Sequence, residues 1–559
     1  MKKTAALRRA GRWPGVPDRL MVVLAEELLA THQLREGYDH FTTLCAERPE
    51  SALAESLAGV FQARLDGPDE KAFARLDAAA VRDLGLPQYF RGTVLAGFPD
   101  CAGRADTVIS DLEFVLAVGD PFPAGFRHSV YAALERAYAC QGRTEDAREA
   151  RTRIGHEPGL SLVTENLVSP QDGLRMGPPR LAEMAPGVHV AQGYDFADFA
   201  FVVTGEGVVA IDAASHPRHV EAALRDLRAV TRAPITHVIL THAHFDHIGG
   251  IEALTGPGIQ IIAQAAFPDE LALQAASPPP FPYLLPADQD RRPHAVPDRL
   301  VDRPETLTVG GTRFTLIPVG GGETRDGLLV HLPDEGVVFT GDVCMPYLGA
   351  PFFAEGSPEG LLDALRTVQD LSPRLLIHGH PPLTENFTVE SFPGLLGALL
   401  DLHAVVAEDI AAGRTLTEVL ARDHLPEFLR DHPVAVLPYL VIRDGFVQRL
   451  YDQRTGYWKA DGEGVDPLDP AQWAAALDLL GGGRAEAFVA AGEELLARDD
   501  PAPALRVVDY GLLSHPDDAA LAGLRRRLLL ALVERNQFFD PFKFAYYAGL
   551  AGLTVSPAG

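Results

Sequence analysis

The sequence predicts a layered α/β body set between two helical regions, and two observations carry that reading. Apolar residues recur at three- and four-residue spacing from Asp18 to about Arg153, give way to short β-branched runs from about Leu181 to Asn386, and return to helical spacing after about Val389. At 559 residues the chain is also too long for one hydrophobic core. The expected division is a helical-hairpin domain over 1–160, an α/β domain over 180–388 and a helical domain over 389–559.

Taken in order, MVVLAEELLATHQLREGYDHFTTLCAERPE reads as two helices with a proline-marked stop, and HSVYAALERAYACQGRTEDAREARTRI as two more broken at Gly142. These pairs look like tetratricopeptide-type hairpins without the full repeat signature, so the expectation is a stacked helical scaffold with a protein partner. SPQDGLRMGPP is expected to be a linker. GVHVAQG, FAFVVT, GVVAIDA and ITHVILTH then read as strands, with a helix over HVEAALRDLRAV before the last. TLTVGG, RFTLIPVG, GLLVHLP and GVVFTGD continue the strand pattern, and the helix EGLLDALRTVQDL leads to RLLIHGH. Strands interleaved with helices imply packed layers. SPPPFPYLLPADQDRRPHAVPD is too proline-rich for regular structure and is expected to be a loop near the site. GLLGALLDLHAVVAEDI, PAQWAAALDLL, AEAFVAAGEELLA and AALAGLRRRLLLALVERNQ are expected to be amphipathic helices.

Composition narrows the function classes. Lys and Arg number 49 against 76 Asp and Glu, a formal charge of −27, which disfavours phosphate backbones and anionic lipid surfaces as partners. Cys45, Cys101, Cys140 and Cys344 are scattered without metal-finger spacing, which points to free thiols in a reducing, cytoplasmic setting. The basic start lacks the apolar stretch of a signal peptide, and no run approaches the roughly 18 apolar residues of a membrane span.

The chemical signal is Thr241-His242-Ala243-His244-Phe245-Asp246-His247, following a strand from Ile235 to Leu240 and preceding a glycine pair (Gly249, Gly250) expected to open a helix. Imidazole nitrogen and carboxylate oxygen suit Zn²⁺, Fe²⁺ or Mn²⁺. Residues two apart on an extended turn can face one way, so His242 and His244 can share one ion while Asp246 and His247 turn to a second. The spacing is wrong for the helical HExxH arrangement.

THAHFDHIGG resembles the HxHxDH signature of the metallo-β-lactamase superfamily, and the strand order agrees. The resemblance covers roughly Val188 to Pro382 and implies an αββα sandwich. GVVAIDA resembles the strand ending in a supporting aspartate (Asp212), GVVFTGD the strand carrying the metal-bridging carboxylate (Asp342), and LLIHGHPP the last ligand segment (His380). Where most members carry a histidine, this sequence has Glu323, a swap shared with alkyl-sulfatase-like members. GYDFADFAF, IDAASHPRHVEAAL and LTVGGTRFTLIPVGGGE resemble those members too. The C-terminal third resembles their helical dimerisation domain, which implies a homodimer. Carried over, His242, His244 and Glu323 would bind one ion, and Asp246, His247 and His380 the other, with Asp342 between them. Asp246 would also orient the attacking water, activated by two divalent ions, zinc or alternatively iron or manganese.

The resulting expectation is a dinuclear hydrolase of a small ester, a sulfate ester first. A lactone, thioester or phosphodiester on the same site is the alternative, as is a non-catalytic, metal-stabilised binding protein. The cationic sulfate-gripping residues of the larger alkyl sulfatases are missing from VCMPYLGAPFFAEGS. Arg325 is suited to an anion but equally to a solvated surface. His378 is expected to pack rather than ligate, His237 and His331 to be structural, and Cys344 to be inert.

Overall fold

The computed structural model describes residues 2–118, 126–154, 166–169, 173–176, 179–276, 295–344, 356–456, 469–536 and 541–552. The proline-rich loop expected over 277–298 lies largely outside these residues, as do 345–355 and much of RTGYWKADG. The chain divides into two compact units, about 1–166 and 167–554.

Among the described residues the first unit is helical up to Ile154, with α-helices Lys2–Ala10, Asp18–Ala30, Leu34–Glu47, Ala52–Asp66, Glu70–Arg82, Leu86–Ala96, Ala105–Val118, Phe126–Cys140 and Thr144–Ile154. Its core is made of the positions that the helical spacing singles out, among them Leu24, Leu28, Phe41, Leu57, Phe61 and Leu76. The basic start forms the first of these helices and buries Leu7 and Ala10.

The second unit opens on a ribbon of β1 (Asn166–Ser169) and β2 (Gly173–Met176), of which β2 lies inside the segment expected to be a linker. A seven-stranded sheet follows, in the order β3 (Arg180–Ala185), β4 (Val188–Gln192), β5 (Phe199–Val203), β6 (Val208–Ile211), β7 (Ile235–Ile239), β8 (Gln260–Gln264) and β9 (Arg299–Val301). Strands β3 to β6 pair antiparallel and β6 to β9 parallel. A five-stranded sheet holds β10 (Glu305–Val309), β11 (Thr312–Pro318), β12 (Leu328–Leu332), β13 (Val337–Gly341) and β14 (Leu375–His378), with only β13 and β14 parallel.

The period-two alternation of the strands sorts side chains into layers. Val209, Ile211 and Ile239 point into a core shared with Phe314, Leu316, Val330, Val337 and Phe339 of the other sheet. Their neighbours Val208, Ala210 and Val238 face the opposite way, against Val220, Ala223 and Leu227 of the helix Pro217–Val230. Two sheets face to face with helices outside are the expected sandwich. Helix starts are marked in the sequence: the Ser357 hydroxyl accepts from Gly360 N at 2.9 Å to cap Pro358–Asp370, and Pro358 fits its first turn.

Beyond the sandwich the chain is helical again, with long helices Phe392–Ala411 and Val436–Thr455 and a bundle of Pro470–Leu480, Ala485–Ala497, Pro501–Ser514, Ala519–Asn536 and Pro541–Leu550. The bundle has its own core around Phe488, Leu505, Val508, Leu524 and Leu528. Among the described residues, no helix is long and apolar enough to cross a membrane.

Candidate metal centre

Every expected ligand leaves the end of a strand or its following loop, where open parallel sheets commonly place their sites. β6 delivers Asp212, β7 delivers the His242–His247 segment, β13 delivers Asp342 and β14 delivers His380, while Glu323 lies in the β11–β12 connection. The glycine pair opens only a short 3-10 helix, Ile251–Leu254, with Gly250 at its N-cap. Before it, Phe245–Ile248 is one short turn that carries Asp246 and His247, and Gly249 ends it. Gly250 then passes so close to Ala213 O that a Cβ would lie 2.2 Å from it, which explains a glycine there.

The ligand atoms form two groups, each within 4.8 Å: His242, His244 and Glu323, and Asp246, His247, Asp342 and His380. In the first, Glu323 Oε2 lies 3.0 Å from His242 Nε2 and 3.3 Å from His244 Nδ1. In the second, Asp342 Oδ2 lies 2.8 Å from His380 Nε2 and 3.3 Å from His247 Nε2, and Asp246 Oδ2 lies 3.4 and 3.5 Å from the same two nitrogens. The groups adjoin, with the His242 and His247 rings 4.2 Å apart. Asp342 falls in the second group, and its charge also acts on Glu323 of the first, opposing the ionisation of that carboxyl.

Hydrogen bonds behind the ligands fix the imidazoles. His247 Nδ1 donates to Asp212 Oδ2 at 2.9 Å. The Thr241 hydroxyl donates to the same Asp212 oxygen at 2.7 Å and accepts from His242 Nδ1 at 3.0 Å. His380 Nδ1 donates to the Phe196 carbonyl at 2.9 Å. In each ring the Nδ1 proton is thereby committed outward and Nε2 faces inward, the orientation that metal-ligating histidines require. His242 Nε2, both Glu323 oxygens and Asp342 Oδ1 are buried without a hydrogen-bond partner. Buried carboxylate oxygens that no protein donor satisfies are costly, and a divalent cation is the group this donor set fits.

The charges are strongly interdependent. Burial lowers the His380 pKa, but Asp342 and Asp246 overturn that and raise it to about 10. His247 is likewise raised, its burial outweighed by Asp342, Asp246 and Asp212. Burial opposes ionisation of Asp342, yet His380 and His247 hold it well below the carboxylate range. Burial also opposes ionisation of Glu323, which His244 and His242 nevertheless lower.

Other polar residues sort themselves by contact. His378 accepts from the Thr340 hydroxyl at 2.6 Å and donates to Phe387 O at 2.9 Å, so both ring nitrogens are used in packing, as expected. Burial lowers its pKa to about 4. Arg325 is largely exposed and pairs with the buried Glu270. Cys344 is buried, which raises its thiol pKa. Three further buried carboxylates carry no assigned role in the sequence reading. Burial raises Asp198 to about 8, Asp326 is raised by burial beside His242 and His244, and Asp195 sits at the base of the loop that reaches His380. The signal that could have found them is three acids in short turns between apolar runs, where solvent-facing residues are the default.

Comparison with known proteins agrees with this fold. Residues 193–380 match the sequence profile of the Metallo-beta-lactamase superfamily. That segment is a metallo-β-lactamase superfamily domain, of the metal-dependent hydrolase kind. The chain is 24% identical over 361 residues to a linear primary-alkylsulfatase from Pseudomonas sp., covering 58% of this chain and 67% of that one. A hydroxyacylglutathione hydrolase from Erythrobacter litoralis is 27% identical over 205 residues, covering 36% of this chain and 68% of that one. Among solved structures, the stereoselective inverting sec-alkylsulfatase Pisa1 from Pseudomonas sp. superposes with a TM-score of 0.53 at 17% identity, over 68% of this chain and 66% of that one. The chain thus spans about two thirds of the length of these alkylsulfatases, and the similarity to Pisa1 is one of fold.

Proposed function

We propose that the chain hydrolyses an ester at a two-ion site, with a sulfate ester as the favoured substrate. His242, His244 and Glu323 would hold one divalent ion and Asp246, His247 and His380 the other, with Asp342 reaching between them. Zinc is the favoured metal and the three ligating carboxylates also suit iron or manganese. When bound, the pair would supply Lewis acidity toward the ester and lower the pKa of water. The chain's own residues position those ions through Asp212, Thr241 and Phe196. Asp246, whose side chain is 13% exposed and so reaches the open side of the centre, accepts from and orients the attacking water. The observation that carries the reading is the inward Nε2 set on His242, His247 and His380 together with the unsatisfied Glu323 oxygens.

The preference for a sulfate ester rests on Glu323 in the place of a histidine and on the alkylsulfatase similarity. A thioester is the second reading, favoured by the similarity to hydroxyacylglutathione hydrolases. The test is turnover of alkyl sulfates, acyl thioesters, lactones and a nitrophenyl phosphodiester by metal-loaded protein, with Glu323→Ala as control. Sulfate release that Glu323→Ala abolishes supports the proposal. Turnover of thioester alone replaces it with the second reading, and no turnover with a single retained ion favours a binding protein. The reading includes a homodimer through the C-terminal helices, where Leu479, Leu480, Leu513 and Trp473 are exposed. Light scattering at a monomer mass would remove that part.

A further inference from the structure

We infer that Asp195 is a positioning residue for the second ion, acting through the loop 193–198 on His380; this rests on the two-ion reading above. The loop connects β4 to β5 and touches the β14 end three times. The Phe196 carbonyl accepts from His380 Nδ1 at 2.9 Å, the Phe196 ring centroid lies 4.4 Å from that of His380, and Asp198 N donates to Gly379 O at 2.7 Å. A backbone carbonyl orients an imidazole only if the backbone itself is held.

Asp195 does the holding. Its side chain is fully buried, and both oxygens are engaged. Oδ1 accepts from Phe196 N and from the Ser215 hydroxyl, each at 2.7 Å. Oδ2 accepts from Ser215 N and lies 3.1 Å from His219 Nδ1. Ser215 and His219 belong to the turn and helix that follow β6, whose end carries Asp212. One carboxylate therefore ties the loop gripping His380 to the segment that grips His247 through Asp212. A surface acid would not be buried in this way, and a purely structural one would not sit one residue from the carbonyl that fixes a ligand's tautomer.

The test uses the full chain loaded with zinc and then dialysed against graded chelator, with elemental analysis and circular dichroism on each sample. Wild type retains two ions. Asp195→Asn places an amide against the Ser215 N–H and His219, and is expected to weaken one ion by about 10–100-fold, leaving one ion at a chelator level where wild type keeps two. The double variant Asp195→Asn with Glu323→Ala retains none, which assigns the two losses to different ions. Ser215→Ala removes a single hydrogen bond, leaves the carboxylate in place, and gives a smaller loss of the same ion; it reads the inference if Asp195→Asn does not accumulate folded. Two ions held as tightly as wild type in these variants, or equal loss of both ions from a folded variant, overturns the inference. A wild-type chain that holds fewer than two ions overturns the two-ion reading itself, a result distinct from either.

Discussion

At the scale of single residues, the centre depends on positions that offer no ligand. A Cβ added at Gly379 would lie 2.0 Å from Asp342 Oδ1 and 2.7 Å from His247 Cε1, so Gly379→Ala must displace a ligand carboxylate. The expected outcome is loss of one of two ions and at least about a hundredfold drop in turnover with the fold retained, checked by elemental analysis and circular dichroism. Asp212 is a second such position. It holds a left-handed backbone (φ 61°), which aspartate tolerates better than most residues, while its carboxylate serves Thr241 and His247 together. Asp212→Asn keeps that backbone but cannot accept at both oxygens, so metal affinity should fall about 10–100-fold in a chelator competition. Four of the expected ligands were legible because His242, His244, Asp246 and His247 crowd into six positions. Glu323, Asp342 and His380 were legible only through the resemblance of their segments to metallo-β-lactamase motifs. The Phe196–His380 bond was not legible at all, since it joins a backbone carbonyl to a ring 184 positions away.

At the scale of elements, spacing showed the long helices of the first unit, and burial follows that spacing. It missed β1, β2 and β3: β1 is only four residues long, and SPQDGLRMGPPRLAEMA, which holds β2 and β3, is rich in turn-formers and alternates weakly. It also could not show which polar groups the helices would enclose. His40, on Leu34–Glu47, is 2% exposed, and burial, then Arg12 and Arg8, lower its pKa to about 4. A folded-state pKa below the unfolded value near 6.5 means the unfolded chain takes up the proton first. Stability of this unit should therefore decline as pH falls from about 6.5 toward 4, and be flat above that window. His40→Leu should remove most of that slope, measured by denaturant midpoints across the range. Helices Leu86–Ala96 and Ala105–Val118 present the companion case. Arg91 meets Asp111 through two bonds of 2.7 and 2.8 Å, with the Asp111 side chain 3% exposed. Arg91→Leu would leave that carboxylate buried and alone, at a cost of about 3 kcal/mol in chemical denaturation.

At the scale of the whole molecule, the two compact units differ in what stabilises them, and that difference can be measured. The first owes its cohesion to helix packing around residues such as Phe41, Phe61 and Leu76. The second has the sandwich core and, beside it, seven converging side chains that could hold metal, with unsatisfied buried oxygens among them. Units with separate cores are expected to unfold as separate steps. An ion that binds only the folded centre adds about 4 kcal/mol at a thousand times its dissociation constant. Chelation should therefore lower the midpoint of the larger unit's transition and leave the smaller unit's in place, whereas mild acid should lower both, the smaller unit's through His40 and the larger unit's through His378. Differential scanning calorimetry with and without chelator, at pH 7.5 and pH 5, separates the two effects. A single transition that shifts as a whole under chelator would mean that the helical region and the metal centre share one cooperative structure, and the metal would then stabilise the chain well beyond the sandwich that binds it.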